Sequence, residues 1–418
     1  MKKFLSVFFS LAFLLSFSMP VSASESADPG ILANDDMPSE AEALALWDYL
    51  DASRFGDEAV LSDTVSPEFD FDVKSACLIE AETGTILYEY NKDDRYMPAS
   101  VTKVMTLLLV FEAIDSGKIS FEDTVTASEH AASMGGTQIY LKVGETMSVE
   151  DLVKAVVVPS ANDAAVALAE FVAGSEEEFV RQMNERAKEL GMENTNFTNC
   201  TGLFDDENHY TSAADIAIAS RELIKHEKIF DFSTIWMDTL RDGQFSLANT
   251  NKMLKTYAGM KGLKTGYTRA SLHSFSGVAE RNGMTLIVTI MGGATSDIRF
   301  SAAASLLNFG FSNFCVAKAG EITLPQLKVN KGKIENISVT SDTDFSLVVP
   351  KGWDKELTYE ISLNDSVTAP MQKGEQVGVI TYKLKDETVK TCPIVLSEDV
   401  EKASVWDYFT SMLETLFG

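Results

Sequence analysis

The order of hydrophobic periodicities predicts an α+β protein: a mixed helix-and-sheet body, then a small all-β sandwich, then an amphipathic terminal helix. Three observations carry this reading. Alternating apolar residues near 77–90 and a β-rich run at 285–291 bracket a long, mostly helical stretch. After Gly320 the chain breaks into short β-rich runs separated by Gly, Asp and Lys turns. The last twenty residues carry an apolar stripe at helical spacing.

Residues 1–23 read as a signal peptide, with Lys2 and Lys3 before an apolar run to Phe17 and a small-residue cleavage site at Val21-Ser22-Ala23. Residues 24–73 form an acidic segment, expected to be partly flexible, in which Arg54 is the only basic residue. Within it Ser39 and Glu42 form a capping box, and Leu44, Trp47 and Leu50 recur at helical spacing, predicting a helix over 39–55. Whether it packs on the body stays open at this point. Cys77, Ile79 and Ala81 alternate up to a Thr83-Gly84 turn and Ile86, Tyr88 and Tyr90 after it, a hairpin at the edge or start of a sheet. Helices are expected over 99–116, 149–158, 161–171, 176–190, 213–225 and 298–309. The expected division is 74–318 for the α+β body, 319–397 for the β-sandwich and 398–418 for the terminal helix. In that helix Val405, Trp406, Phe409, Met412, Leu413, Leu416 and Phe417 share one face. It reads as an anchor lying flat on a membrane, or as a helix docked on its own protein or a second copy.

The formal net charge is −27. So acidic a chain is a poor ligand for nucleic acid, and anionic headgroups repel it, so any membrane attachment is hydrophobic. Cys77, Cys200, Cys315 and Cys392 show no paired spacing and read as buried free thiols by default, with one bridge left open that sequence does not pair. His130, His209, His226 and His273 are isolated, and no metal-ligating spacing is present.

Three short motifs carry chemistry. Ser100 and Lys103 stand at i and i+3 at the start of a helix, so the amine reaches the hydroxyl, and the free N–H groups of the helix start favour developing negative charge. If burial and nearby positive charge depress the Lys103 pKa, it acts as base. Ser160 and Asn162 follow Pro159 and are expected on a loop that ends a helix, although Ser-x-Asn there is also an ordinary N-cap. Lys264, Thr265 and Gly266 on a strand edge offer a cation, a hydroxyl and room for a substrate backbone. Each motif alone is weak; in this order, with domain-sized gaps, they point to one cleft.

Ser-x-x-Lys, Ser-x-Asn and Lys-Thr-Gly in that order resemble the signatures of serine β-lactamases and penicillin-binding proteins. From about Lys74 onward the chain resembles the low-molecular-weight D-alanyl-D-alanine carboxypeptidases, peptidase family S11. Thr201-Gly202-Leu203, His209-Tyr210-Thr211-Ser212, Met291-Gly292-Gly293 and Ala369-Pro370-Met371-Gln372-Lys373-Gly374 add to the likeness. The resemblance implies a β-lactamase/transpeptidase-like fold, an antiparallel sheet flanked by helices with a helical subdomain. It implies Ser100 as nucleophile, Lys103 as its base and Ser160 as proton relay to the leaving group. Asn162 would hold the substrate amide, Lys264 and Thr265 its carboxylate, and the N–H groups of Ser100 and Tyr267 the oxyanion. Arg299 would stand near the carboxylate. The partners implied are a peptidoglycan stem peptide, β-lactams as covalent inhibitors and, through the terminal helix, the outer face of the cytoplasmic membrane; no cofactor is implied. Two departures stand out: Ala161 where Gly is common, and Arg269-Ala270-Ser271-Leu272-His273 where an Ala-Gly pair is usual. A β-lactamase, or a non-catalytic wall-binding scaffold of the same fold, is the competing reading. No Glu-x-x-Leu-Asn deacylation element is present, and the polar motif side chains are all intact.

Overall fold

The computed structural model describes residues 43–47 and 69–417. The expected signal peptide and most of the acidic segment lie outside the described residues. Of the helix expected over 39–55, residues 43–47 are helical and packed on the body: Ala43 and Leu46 are buried, and the Trp47 ring lies 6.1 Å from that of Trp353.

Five antiparallel strands form the central sheet: β1 (Ser75–Glu80), β2 (Ile86–Tyr90), β3 (Met260–Thr268), β4 (Leu272–Arg281) and β5 (Met284–Gly293), in the order β2-β1-β5-β4-β3. The expected hairpin at the sheet edge is β1 and β2, with β2 as the edge strand. β1 lies inside the sheet, and all six of its residues are buried. Ala76 and Leu78 face one core, with the helix α6 (Ser296–Asn313); Cys77 and Ile79 face another, with α1 (Lys103–Asp115). The period of two therefore sorts side chains between two cores, not between core and water. Even Glu80 is buried, its carboxylate accepting the N–H groups of Glu82 (2.9 Å) and Thr83 (2.7 Å) in the hairpin turn.

The connection from β2 to β3 builds the helical subdomain, with α1, α2 (Val149–Val157), α3 (Asn162–Ala173), α4 (Glu176–Glu189) and α5 (Ala213–Leu223). Local sequence starts several of these: the Ser148, Ser175 and Ser212 hydroxyls accept N–H groups at the starts of α2, α4 and α5. Helix α4 has three glutamates in its first turn and Arg186 and Lys188 in its last, matching the helix dipole. Helix α3 is Ala-rich and almost wholly buried, the small side chains letting neighbours approach from every side.

The C-terminal region packs a four-stranded and a three-stranded sheet around a shared core that includes Val329, Val367, Ile380 and Ile394. Strands Leu327–Asn330 and Ser366–Thr368 pair in parallel and were not among the expected runs. Strand Phe314–Lys318, on the body side of the expected boundary, pairs with Ser346–Pro350 and so joins body to sandwich. Glu82 in the hairpin turn adds an ion pair to Lys318 at 2.8 Å. Helix α7 (Val405–Phe417) starts on a reciprocal cap between Ser404 and Asp407, and Val405, Trp406, Phe409 and Met412 are exposed. No helix among the described residues is long and apolar enough to cross a membrane.

The sheet face under α6 depends on Phe275, fully buried and edge-on to Phe300 at 5.3 Å. Phe275→Ala should cost about 3–5 kcal/mol, read as a lower midpoint in chemical denaturation; an unchanged midpoint would show that this face is not a packed core.

Candidate active site

Ser100 lies in a 3₁₀ turn, Ala99–Thr102, that leads directly into α1. The expected single helix from 99 is thus tightened at its start, which keeps Ser100 and Lys103 on one face. Ser100 is partly exposed, and Lys103 is completely buried. The Lys103 amine lies 3.1 Å from Ser100 Oγ, 2.7 Å from Asn162 Oδ1 and 2.8 Å from the Thr201 carbonyl. Burial lowers its pKa to about 7, against an opposing pull from Cys200 and Asp163.

The turn is held from below by a hydrogen-bond chain. His209 Nδ1 accepts the Thr198 N–H at 2.9 Å, so the ring proton sits on Nε2 and faces Thr102 Oγ1 at 2.8 Å. Thr102 in turn donates to the Ala99 carbonyl at 2.8 Å. Burial pushes His209 down to about 4, so the ring stays neutral. Gly202 presses on the same carbonyl: a Cβ there would lie 1.8 Å from Ala99 O, and its φ is +69°. Asn199 Oδ1 fixes that approach by accepting the N–H groups of Thr201 (3.1 Å) and Gly202 (2.7 Å). Ala99 itself is left-handed, at φ 48°.

The second motif arrives at the N-terminus of α3. Asn162 is the first residue of this helix, in keeping with the helix expected over 161–171 and not with the loop expected after Pro159, and Ala161 occupies the cap position without a side-chain bond. Ser160 is therefore not an N-cap: it is left-handed at φ 76°, and its buried Oγ has no hydrogen-bond partner among the described residues. Asn162 Nδ2 donates to the Gly135 carbonyl at 2.7 Å, which leaves its second N–H available. Asp163 ties the same helix start to the N–H groups of Ile139 (3.1 Å) and Leu141 (3.0 Å).

The third motif lies on β3, the edge strand. Gly266 meets the 3₁₀ turn so closely that a Cβ would come within 2.8 Å of the Pro98 carbonyl and 3.1 Å of the Val101 nitrogen. Lys264 is buried, with its amine 3.0 Å from the Thr265 carbonyl, and Thr265 Oγ1 lies 2.6 Å from Thr250 Oγ1. Burial, then repulsion from Lys103 and Arg299, hold the Lys264 pKa well below its ordinary value. Tyr267 is 56% exposed and stacks on His273 at 4.4 Å. Arg299 lies behind this strand, donating to the carbonyls of Gly266 (2.9 Å) and Ser274 (3.1 Å), so it is no loose surface arginine. Burial brings its pKa down to about 10.

The motifs thus meet in one place, with a near-neutral amine beside a hydroxyl and a set of buried cations behind an edge strand. Asn199, Thr201, Gly202, His209, Gly135 and Thr250 complete the site, and motif reasoning assigned none of them a role. Thr201-Gly202 and His209 stood in segments noted only as resemblance, and spacing alone made His209 isolated.

Residues 62–295 match the family model described as D-alanyl-D-alanine carboxypeptidase, and residues 311–402 that of the penicillin-binding protein 5 C-terminal domain. The chain belongs to the D-alanyl-D-alanine carboxypeptidase family. It is 43% identical to the D-alanyl-D-alanine carboxypeptidase DacF of Bacillus subtilis over 358 residues, 84% of this chain and 90% of the relative. Identity to DacA of Escherichia coli is 32% over 377 residues, 83% of this chain and 89% of that one. Among solved structures, penicillin-binding protein 5 from Haemophilus influenzae superposes with a TM-score of 0.70 at 31% identity, covering 81% of this chain and all of the other. Penicillin-binding protein D2 from Listeria monocytogenes, solved in its ampicillin-bound form, gives 0.54 at 32% identity over 59% of this chain and 100% of that one.

Because only the neutral amine accepts a proton, acylation of Ser100 by a fluorescent penicillin should rise with pH and level off above about 7. A rate that stays flat from well below that value to well above it would rule out Lys103 as the titrating base.

Proposed function

We propose that the protein is a serine D-alanyl-D-alanine carboxypeptidase that removes the last D-alanine from peptidoglycan pentapeptide stems through an acyl-enzyme on Ser100. The observation that carries this reading is the fully buried Lys103 amine, 3.1 Å from Ser100 Oγ with its pKa near 7. Ser100 Oγ attacks the carbonyl between the two D-alanines while Lys103 takes its proton. The N–H groups of Ser100 and Tyr267 receive the oxyanion, donors worth roughly 3 kcal/mol each in such sites. The C–N bond then breaks, and the leaving D-alanine nitrogen receives a proton by way of Ser160. Water hydrolyses the ester, releasing the shortened stem and regenerating Ser100. The free N–H of Asn162 binds the substrate amide, and Lys264 and Thr265 bind the terminal carboxylate, with Arg299 adding positive charge from behind. Gly266 lets the substrate lie along β3. A β-lactam follows the first half of this path, opening its ring onto Ser100.

The protein acts outside the cytoplasm in this reading, held at the outer face of the cytoplasmic membrane by α7. The exposed Val405, Trp406, Phe409 and Met412 supply the apolar contact that a chain of net charge −27 needs for a lipid surface.

Mass spectrometry of diacetyl-L-Lys-D-Ala-D-Ala after digestion should show loss of one alanine, blocked by penicillin and absent in Ser100→Ala. An intact peptide after incubation with folded wild-type enzyme would overturn the assignment. For the membrane reading, the chain should float with neutral phosphatidylcholine vesicles at high salt, and a chain ending at Ser404 should stay in solution. Equal behaviour of the two chains would remove α7 as the anchor.

A further inference from the structure

A cavity of about 410 Å³ opens beside the candidate active site, at the Thr268 end of the edge strand. Met97, just before the nucleophile's turn, forms part of one wall, and Ala270 and Ser271, which follow β3, form another. Ser271 Oγ accepts the Thr268 N–H at 3.0 Å, so this wall is a continuation of the strand. Lys74 and Arg95 supply two cations to the cavity and Glu207 one carboxylate. Among the described residues, neither cation has a carboxylate within 4 Å, in a protein whose acidic residues outnumber its basic ones 62 to 35.

Both residues are exposed, and neighbouring groups restrain their side chains. Arg95 donates from Nε to Asn194 Oδ1 (3.2 Å) and from Nη2 to the Glu193 carbonyl (3.4 Å), and lies over the Tyr210 ring at 4.8 Å. That leaves Nη1 for another acceptor. The Lys74 stem crosses Gly292 where a Cβ would lie 2.7 Å from it, and its amine lies 5.5 Å from the centre of the Tyr96 ring. A guanidinium fixed before its ligand arrives loses less freedom on binding.

Strand geometry says what reaches this cavity. With the terminal carboxylate at Lys264 and Thr265 and the scissile carbonyl at Ser100, the upstream peptide leaves past Gly266 and Tyr267 toward 268–271. A strand advances about 3.3 Å per residue, so the residues two and three places before the cleaved bond come level with the cavity. We propose that the Lys74–Arg95 cavity is a subsite for an anionic group of the stem peptide, the free α-carboxylate of its γ-linked D-glutamyl residue. This rests on the carboxypeptidase reading and adds a substrate preference to it.

The test compares three substrates: L-Ala-γ-D-Glu-L-Lys-D-Ala-D-Ala, the same peptide with the glutamyl α-carboxylate amidated, and diacetyl-L-Lys-D-Ala-D-Ala. Wild-type kcat/KM should favour the acid over the amide by about tenfold, the worth of one charge-assisted hydrogen bond. Arg95→Ala and Lys74→Ala should each shrink that preference while leaving the diacetyl peptide and penicillin acylation unchanged. Arg95→Lys should retain part of it. Equal wild-type rates on acid and amide overturn the subsite, as does an equal fall on all three substrates in the variants. An enzyme that labels with penicillin yet cleaves none of the peptides overturns the carboxypeptidase reading, and the subsite with it.

Discussion

The Lys103 amine is completely buried, and that one placement organises most of what surrounds it. An amine without water needs hydrogen-bond acceptors from the protein. Three are present, Ser100 Oγ, Asn162 Oδ1 and the Thr201 carbonyl, contributed by three segments distant in sequence. The start of α1 must therefore be sunk between the sheet and the helical subdomain, and the start of α3 and the 199–202 loop must meet it there. Burial moves the amine toward neutrality, and the acceptors keep its position. The same desolvation that makes it costly to hold makes it able to take a proton near neutral pH.

The cost is spread over the surrounding backbone. Ala99 and Ser160 both adopt left-handed conformations next to the reacting groups, and Gly202 is the only residue type that fits against the Ala99 carbonyl. Such geometry persists only where neighbours over-determine it. Here the His209–Thr102 chain and the Asn199 carboxamide do so, with no contact to the reacting atoms required. Charge is arranged the same way. The chain is strongly acidic, yet Arg299 stands behind the cleft near Lys264, and Lys74 and Arg95 line its continuation. A ligand carrying carboxylates is thus drawn to one region of a surface that otherwise repels it.

Much of the site was legible because its chemistry is concentrated in residue types. A nucleophilic hydroxyl, an amine one turn on and a Lys-Thr-Gly strand are informative as letters, and the resemblance joined them. The supporting residues were not legible, for they act through backbone contacts. Nothing in the letters Asn199 or Gly202 says which carbonyl they meet, and His209 looked isolated because its partners Thr102 and Thr198 are brought to it by the fold. Pro159 suggested a loop for Ser160 and Asn162 while periodicity suggested a helix over 161–171; the helix starts at Asn162, so only Ser160 stays outside it. The β1 alternation was visible, but alternation between core and water and alternation between two cores look alike in one dimension. Strands such as Leu327–Asn330 and Ser366–Thr368 are four and three residues long and leave little periodicity to read.

By itself, then, the sequence determined the kinds of element and their order, from periodicity and capping, and the identity of the reactive groups, from their chemistry. Those are local properties, carried by residues within a few positions of one another. Tertiary structure alone decided that Lys103 is dry, that Gly266 lies against the nucleophile's turn, that Arg299 supports the edge strand from behind and that Lys74 and Arg95 line the next cavity with no carboxylate partner among the described residues. Each of these depends on which distant segments exclude water from a shared space. Desolvation and contact belong to the packed chain and have no counterpart in any short stretch of it.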